Sequence, residues 1–511
     1  MNSSRYAIID IGSNSVRLVI YEVTPPGAYR ILHETKETAR LSERIGEDGA
    51  MTHDGILSVV PLLRRFKRIC GAYSVDSVKA AATAAIRNAA NAEDIARELA
   101  ERSGIVIDIL SGEEEARLGF QGVVSTLDVR DGFIVDIGGG STEITLFLDR
   151  KRVNSVSFPF GAVTAAREYT PGGIVRPERI EALKALVRDT IDLHPWIREH
   201  AELPLISLGG AGRALAKLNQ KRVDYPLPVM HNYELEENDL QNYMDLLPSL
   251  PVEKRKKLDG LSKGRADIIV AGVVLLHSVY RQTAASRIIV SSAGLRDGLF
   301  YETAMPDRLP ITDVLEFSVE NMLKLHTPLP HDHLRRAAAH AAALYDVLAD
   351  SAPELQPRHR SLLHAAALLQ RIGYTVSSYQ HWRHTFHLIT ESRIDGLTHR
   401  EIVLCALIAT FKNKNRTRQQ ALPYASVLDR SDEDIAAKLG SLLRLATSLD
   451  YGENGNVAEL DVRSVPGELH LHLLCKEQDP SEIGTIEETA EETGKYWSFT
   501  AYIHASALST D

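Results

Sequence analysis

The chain has 511 residues, 44% hydrophobic and 25% charged, an ordinary globular composition with length for roughly two to four domains. Its formal net charge of −10 argues against a general nucleic-acid binder, although a local basic channel for a polyanion can coexist with an acidic surface. The start of the chain has no signal-peptide core, and the charge-free stretch near Ile268–Tyr280 is too short for a bilayer. Cys70, Cys405 and Cys475 form no disulfide or metal spacing, so a cytoplasmic protein without a membrane partner is expected.

In chain order, residues 6–23 predict two strands around a turn at Asp10, and Tyr29–Glu34 a third. Ile56, Val59, Val60, Leu63, Phe66 and Ile69 fall at helical spacing, so residues 54–70 read as an amphipathic helix. A strand at Ser77–Ala82, a helix over 91–103, a strand at Ile105–Leu110 and a helix opened by Ser111 complete a β-β-β-α-β-α-β-α order. That order resembles the ribonuclease H-like unit. The second half repeats it. Strands flank a turn after Asp136, a third lies near Val153–Phe158, and a helix runs from Pro177 towards His194. Leu205–Leu208 is a strand ending in Gly209-Gly210-Ala211-Gly212, residues 236–247 and 264–281 are helical, and Arg287–Val290 is a strand. From Ile311 the chain becomes helical and rich in histidine. A strand pair (Val457–Val462, Glu468–Leu474) and an acidic, solvent-facing helix over 479–496 close it. Pro306–Pro310 and Thr327–Pro330 read as linker segments. The expected domains are 1–127, 128–306, 311–450 and 451–511.

The two glycine turns carry the first functional signal. Placing Asp10 of AIIDIGSNSVRLVI on Asp136 of FIVDIGGGSTEITL aligns Ile11 with Ile137, Gly12 with Gly138 and Ser15 with Ser141 without a gap, which marks an internal duplication. Glycine lets backbone N–H groups converge on an anion without a Cβ in the way. Acidic residues beside such a nest would repel a phosphate, so a divalent cation on Asp136 is the expected bridge.

Other residues have competing readings. Ser111 and Glu114 form a capping-box pattern, which accounts for Glu114 but less well for Glu115. Glu115 shares a helix face with Leu118, Gly119 and Gly122 and could face a cleft. Arg40 and Arg87 read either as surface ion pairs or as guanidinium forks for phosphate. Lys254-Arg255-Lys256-Lys257 reads as a solvated face more than as a polyanion track. His381, His384 and His387 are spread around one helix with no carboxylate to complete a metal set.

Together, YAIIDIGSNSVRLVIYEV, TAAIRNA, ILSGEEEAR, FIVDIGGGSTE, LGGAGRALA, GLSKGRADIIVAG and SSAGLRDGLFYE resemble the exopolyphosphatase/guanosine pentaphosphate phosphohydrolase family. The resemblance covers roughly residues 5–305. It implies an α/β fold of the actin, Hsp70 and sugar kinase superfamily: two ribonuclease H-like lobes, then a mainly helical HD-like domain and a small α+β segment. By the same resemblance Glu115 is the catalytic glutamate, Arg87 lies near the phosphates, and Asp136 and Glu143 serve the metal (Mg²⁺, with Mn²⁺ possible) and the attacking water. Asp10, Gly12, Ser13, Asn14, Ser15 and Arg40 would form the first phosphate site, and Gly138, Gly139, Gly140, Ser141 and Thr142 the second. Gly209, Gly210 and Gly212 sit where the kinases of the superfamily bind adenosine. The HD-like domain has Gln370-Arg371 where an active one has His-Asp, with His340 and Asp450 resembling its outer ligands, so it is expected to be non-catalytic. The implied function is release of terminal orthophosphate from inorganic polyphosphate by a homodimer. The alternatives are hydrolysis of guanosine pentaphosphate, or an actin-like ATP-binding kinase or sensor.

Overall fold

The computed structural model describes residues 3–508, apart from residues 26, 47 and 478. The chain divides into two units, residues 1–314 without 226–229 and residues 315–511 with 226–229. No helix among the described residues is long and apolar enough to cross a membrane.

The first unit is built on two sheets of one design. Ser4–Ile11 (β1) is an unbroken apolar run because it lies mid-sheet, with Ala7, Ile8 and Ile9 fully buried. It pairs antiparallel with Ser15–Thr24 (β2), which pairs antiparallel with Ala28–Thr38 (β3). On its other side lie the parallel strands Ser77–Ala82 (β4) and Ile107–Ile109 (β5), giving the order β3-β2-β1-β4-β5.

The second sheet contains Gly132–Ile137 (β6), Thr142–Leu148 (β7), Lys151–Phe158 (β8), Leu205–Leu208 (β9), Tyr233–Leu235 (β10) and Ile288–Val290 (β11). Its order, β10-β11-β9-β6-β7-β8, repeats the first sheet, with β8-β7-β6-β9-β11 matching β3-β2-β1-β4-β5. The added strand β10 has three residues and pairs antiparallel with β11; its brevity hid it from the sequence reading. The paired α/β lobes expected from the duplication are therefore present.

Two helices exchange sheets. Gly112–Val124 follows β5 but packs on β6, β7 and β8, while Leu295–Ala304 follows β11 and packs against β1. The two helices meet so closely that a Cβ on Gly298 would overlap the Leu118 carbonyl oxygen. Phe300 stacks on Tyr21 at 3.9 Å, the hydroxyls of Tyr29 and Tyr301 lie 2.9 Å apart, and Arg117 pairs with Glu302.

The second unit is helical from Val314–Leu325 to Asp432–Ser448 and ends in a three-stranded sheet. Val457–Val465 (β12) and Glu468–Cys475 (β13) are the expected strand pair. Thr500–Ala507 (β14), missed in the sequence, adds parallel to β13 after the helix Pro480–Trp497. That helix is acidic but not wholly solvent-facing, because Ile486, Ala490 and Trp497 are buried. Thr327–Pro330 is a turn between the helices Val314–Leu325 and His331–Leu348, not an inter-domain linker.

Gly298→Ala is expected to destabilise the first unit by about 1–3 kcal/mol, the usual range for an overpacked core. A lowered urea midpoint at unchanged slope is the readout.

Candidate functional site

The two hairpin turns close alike: Gly12 N–H donates to the Ser15 carbonyl at 3.1 Å and Gly138 N–H to that of Ser141 at 2.9 Å. They also touch, since a Cβ on Gly139 would lie 2.7 Å from the Ser13 Cβ. Asp10, Gly12, Ser13, Asn14 and Ser15 line one cleft together with Gly138, Gly139 and Ser141. Glu115, Asp136, Gly209 and Gly210 line the same cleft.

Ser111 caps the helix Gly112–Val124 through a reciprocal bond with Glu114, as the spacing predicts. Glu115, released from capping, turns inward and is 9% exposed. Arg87 Nη1 donates to Glu115 Oε2 at 2.6 Å and to the Leu110 carbonyl at 3.0 Å. Its Nη2 stands 3.9 Å from Glu143 Oε1. Ser157 donates to Glu143 Oε1 at 2.7 Å, whereas Glu143 Oε2 is buried with no hydrogen-bond partner.

Desolvation dominates the electrostatics. Burial pushes Glu115 up to about 7 against the pull of Arg87, and Asp136 up to about 6. Burial and then the charges of Glu115 and Asp136 raise Glu143 well above the usual carboxylate range. Burial raises Asp10 as well, against Arg296, Arg17 and Arg213.

Those three arginines and Arg265 line the cleft and were missed as site residues in the sequence. Burial and then Arg17 and Arg296 lower Arg213 to about 9, and burial and then Arg17 and Arg265 lower Lys36 to about 8. A signal for them was available. Arg17 stands across from Asp10 in the first hairpin, where Glu143 stands across from Asp136 in the second. Likewise Arg213, in the helix after β9, repeats Arg87, in the helix after β4. Arg296, in the helix after β11, repeats Glu115, in the helix after β5.

Several expected residues lie elsewhere. The Arg40 side chain pairs with Glu43 at 3.0 Å and Asp267 at 3.1 Å outside the cleft lining; only its backbone N–H supports the turn, on the Asn14 carbonyl. Gly140 packs against Ser13, Thr142 donates to the Phe160 carbonyl at 2.7 Å, and Gly212 packs on Ser207. Gly209 and Gly210 open the helix Gly209–Arg222, and the Arg265 guanidinium covers Gly210. Arg255 is no part of a solvated face: it is 1% exposed and donates to the carbonyls of Leu247, Gly173 and Ala266.

In the second unit Asp450 accepts from Arg336 and is hydrogen-bonded to His333, each at 2.8 Å, and His340 Nδ1 is buried with no hydrogen-bond partner. Among the described residues no group of three His, Cys, Asp or Glu is arranged to hold a metal ion, and His381 is stacked on Tyr374. Mg²⁺ commonly uses one or two carboxylates and fills its shell with waters and substrate oxygens. The unpartnered Glu143 oxygen and the buried Asp136 fit such an ion in company with a bound phosphate.

Residues 19–306 match the Ppx/GppA phosphatase family and residues 314–481 match Ppx/GppA phosphatase domain III. The solved Ppx/GppA family member from Aquifex aeolicus is 27% identical, with a TM-score of 0.52 over 60% of this chain and 99% of that one. An exopolyphosphatase from Cytophaga hutchinsonii is similar in fold, with 22% identity and a TM-score of 0.55 over 59% of this chain and 97% of that one. A run of more than half the chain matches one family model, and the duplicated sheets carry their turns into one charged cleft; the chain belongs to the Ppx/GppA phosphatase family.

Proposed function

We propose that this phosphatase hydrolyses a terminal phosphoanhydride, and that inorganic polyphosphate is its substrate. The observation that carries the reading is the polarity of the cleft. Glu115 and Glu143 gather at Arg87, whereas Arg17, Arg213, Arg265 and Arg296 line the cleft with Asp10 and Asp136 near enough to repel one another, Arg296 being paired also with Glu34 at 3.0 Å. A chain of phosphates bound among the arginines relieves that repulsion.

In this reading the turns at Gly12–Ser15 and Gly138–Ser141 offer backbone N–H groups to the terminal phosphate. The arginines hold the phosphates behind it. Glu115 in its ionised form orients a water and takes its proton as the water oxygen bonds to phosphorus and the bridging P–O bond breaks. The electron pair of that bond leaves on the shortened chain, which the arginine charge stabilises. Arg87 holds Glu115 in place, and Glu143 is held in turn by Ser157. A divalent cation on Asp136 and Glu143, Mg²⁺ or Mn²⁺, would neutralise charge between carboxylates and phosphate.

Guanosine pentaphosphate is a second substrate reading with one observation in its favour. The planar Arg265 guanidinium over Gly210 is a surface on which a base can stack. Orthophosphate release from long-chain polyphosphate and from guanosine pentaphosphate, assayed side by side with Mg²⁺, separates the two by the ratio of kcat/KM. Polyphosphate is the expected favourite, and a ratio favouring the nucleotide overturns that choice. Glu115→Gln is expected to lower kcat on either substrate by about 100-fold or more, the scale of a lost general base. In wild type, kcat/KM should fall as pH drops below about 7, where Glu115 takes up its proton.

Stability gives an independent check. The folded value of Glu115, about 7, lies above its ordinary 4.5. The protonated form therefore supports folding fully below pH 4.5, and that support is lost as pH rises through 7. Glu115→Gln should match wild type in unfolding temperature in acid and exceed it at pH 8. Arg213→Met should likewise raise the unfolding temperature without anions, by relieving repulsion from Arg17 and Arg296, and should abolish stabilisation by tripolyphosphate. A drop in unfolding temperature for both variants at pH 8 would show that the cleft charges are not in conflict.

A further inference from the structure

The second unit contains a cavity of 660 Å³ lined in part by Gln370 and Arg371, the pair that stands where an active HD domain has His-Asp. Small-molecule sites commonly measure about 300–1,000 Å³. Its lining mixes two kinds of side chain: Ile408, Phe411, Leu443 and Tyr451 bring apolar surface, and Arg371, Lys412, Arg416 and Arg444 bring positive charge. Glu453 is the single acid among the lining residues, in a chain of net charge −10.

Two of the cations are neutralised. Arg371 pairs with Glu453, and Arg444 with Glu492 at 2.7 Å. Arg416 has no carboxylate. Its guanidinium lies over the Trp382 ring, which fixes its position, and its Nε and Nη2 are buried without an acceptor. Burial and the neighbouring Arg383 lower it to about 10. Buried donors left unpaired are rare in folded proteins and costly, so each calls for an acceptor. His381 Nδ1, of the same lining, is also buried and unpaired. Tyr451, 64% exposed, offers a free aromatic ring beside the cations.

We propose that this cavity binds a phosphorylated nucleoside, its phosphate oxygens accepting from Arg416 and Lys412 and its base lying against Tyr451 and Phe411. An anion supplies what Arg416 lacks. A planar group covers the apolar and aromatic part of the lining, and a bare phosphate chain does not. Arginine holds phosphate by charge-assisted bonds, and aromatic rings accept any base by stacking. None of its lining residues lines the cleft of the first unit, and the inference does not depend on which substrate that cleft takes.

The test is calorimetric titration of the full-length chain with guanosine 5′-diphosphate, adenosine 5′-diphosphate and tripolyphosphate. It is run in the Arg213→Met background, so that cleft binding is suppressed. Binding of at least one nucleotide is expected, more tightly than tripolyphosphate. Arg416→Met and Tyr451→Ala should each weaken it about tenfold or more. Tyr451→Ala and Lys412→Met alter exposed positions and keep the test open should Arg416→Met fold poorly. In the otherwise wild-type chain without nucleotide, Tyr451→Ala should leave phosphate release unchanged. The proposal is overturned by absent nucleotide binding, by binding that none of the three variants moves, or by tripolyphosphate binding as tightly as the nucleotides.

Discussion

Everything in the first unit answers to one electrostatic constraint: carboxylates and arginines are desolvated together around two touching backbone turns. Asp10, Glu115, Asp136 and Glu143 are all pushed up by burial, and Arg213 and Lys36 are pushed down. Were the two signs mixed evenly, they would neutralise each other in pairs, as Arg87 and Glu115 do. They are instead only partly paired: Arg17, Arg213, Arg265 and Arg296 repel one another, and Glu143 is pushed up by Glu115 and Asp136. Only a rigid frame keeps such a set from relaxing. The duplicated sheets supply it by aiming the ends of β1, β4, β6 and β9 at the same place. The exchanged helices Gly112–Val124 and Leu295–Ala304 supply it again by locking the lobes through backbone contact at Gly298. Perturbed ionisation of this kind concentrates at functional sites because the fold holds groups there that would otherwise be solvated.

Much of this was legible in the residues. The aspartate-glycine-serine repeat gave both turns and the duplication, and hence the paired sheets. Glu115 emerged as the acid left over once Ser111 and Glu114 had satisfied the helix start, and it is indeed the buried one. What stayed hidden was charge that looked ordinary. Arg17 follows a serine and a valine and reads as the polar face of a strand. Its meaning depends on register, because it stands across from Asp10. Arg213, Arg265 and Arg296 lie inside segments whose glycines drew attention first. Arg255 misled in the opposite direction: within a run of lysines nothing local marks the one side chain that plugs backbone carbonyls. The short strand β10 and the parallel partner β14 depend on pairing distant in sequence, which local periodicity does not report.

The duplication also explains how a nearly symmetric frame becomes directional. Each lobe presents an aspartate at its first turn, a charged residue opposite it, an arginine after its fourth strand and a charged residue after its last. Arg87 and Arg213 keep their sign, as do Asp10 and Asp136. The other two positions reverse: Arg17 answers Glu143, and Glu115 answers Arg296. Two sign reversals across a pseudo-symmetric cleft place the extra acids together and the extra bases together. In the proposed reading a linear polyanion is held by its body at the arginines, and Glu115 and Glu143 stand at its terminus. In the proposed reaction this sets which bond is cut, because attack needs an ionised base while the departing chain needs positive charge. Had both lobes kept the same signs, either end would bind a phosphate equally well, and neither would be distinguished as the site of attack.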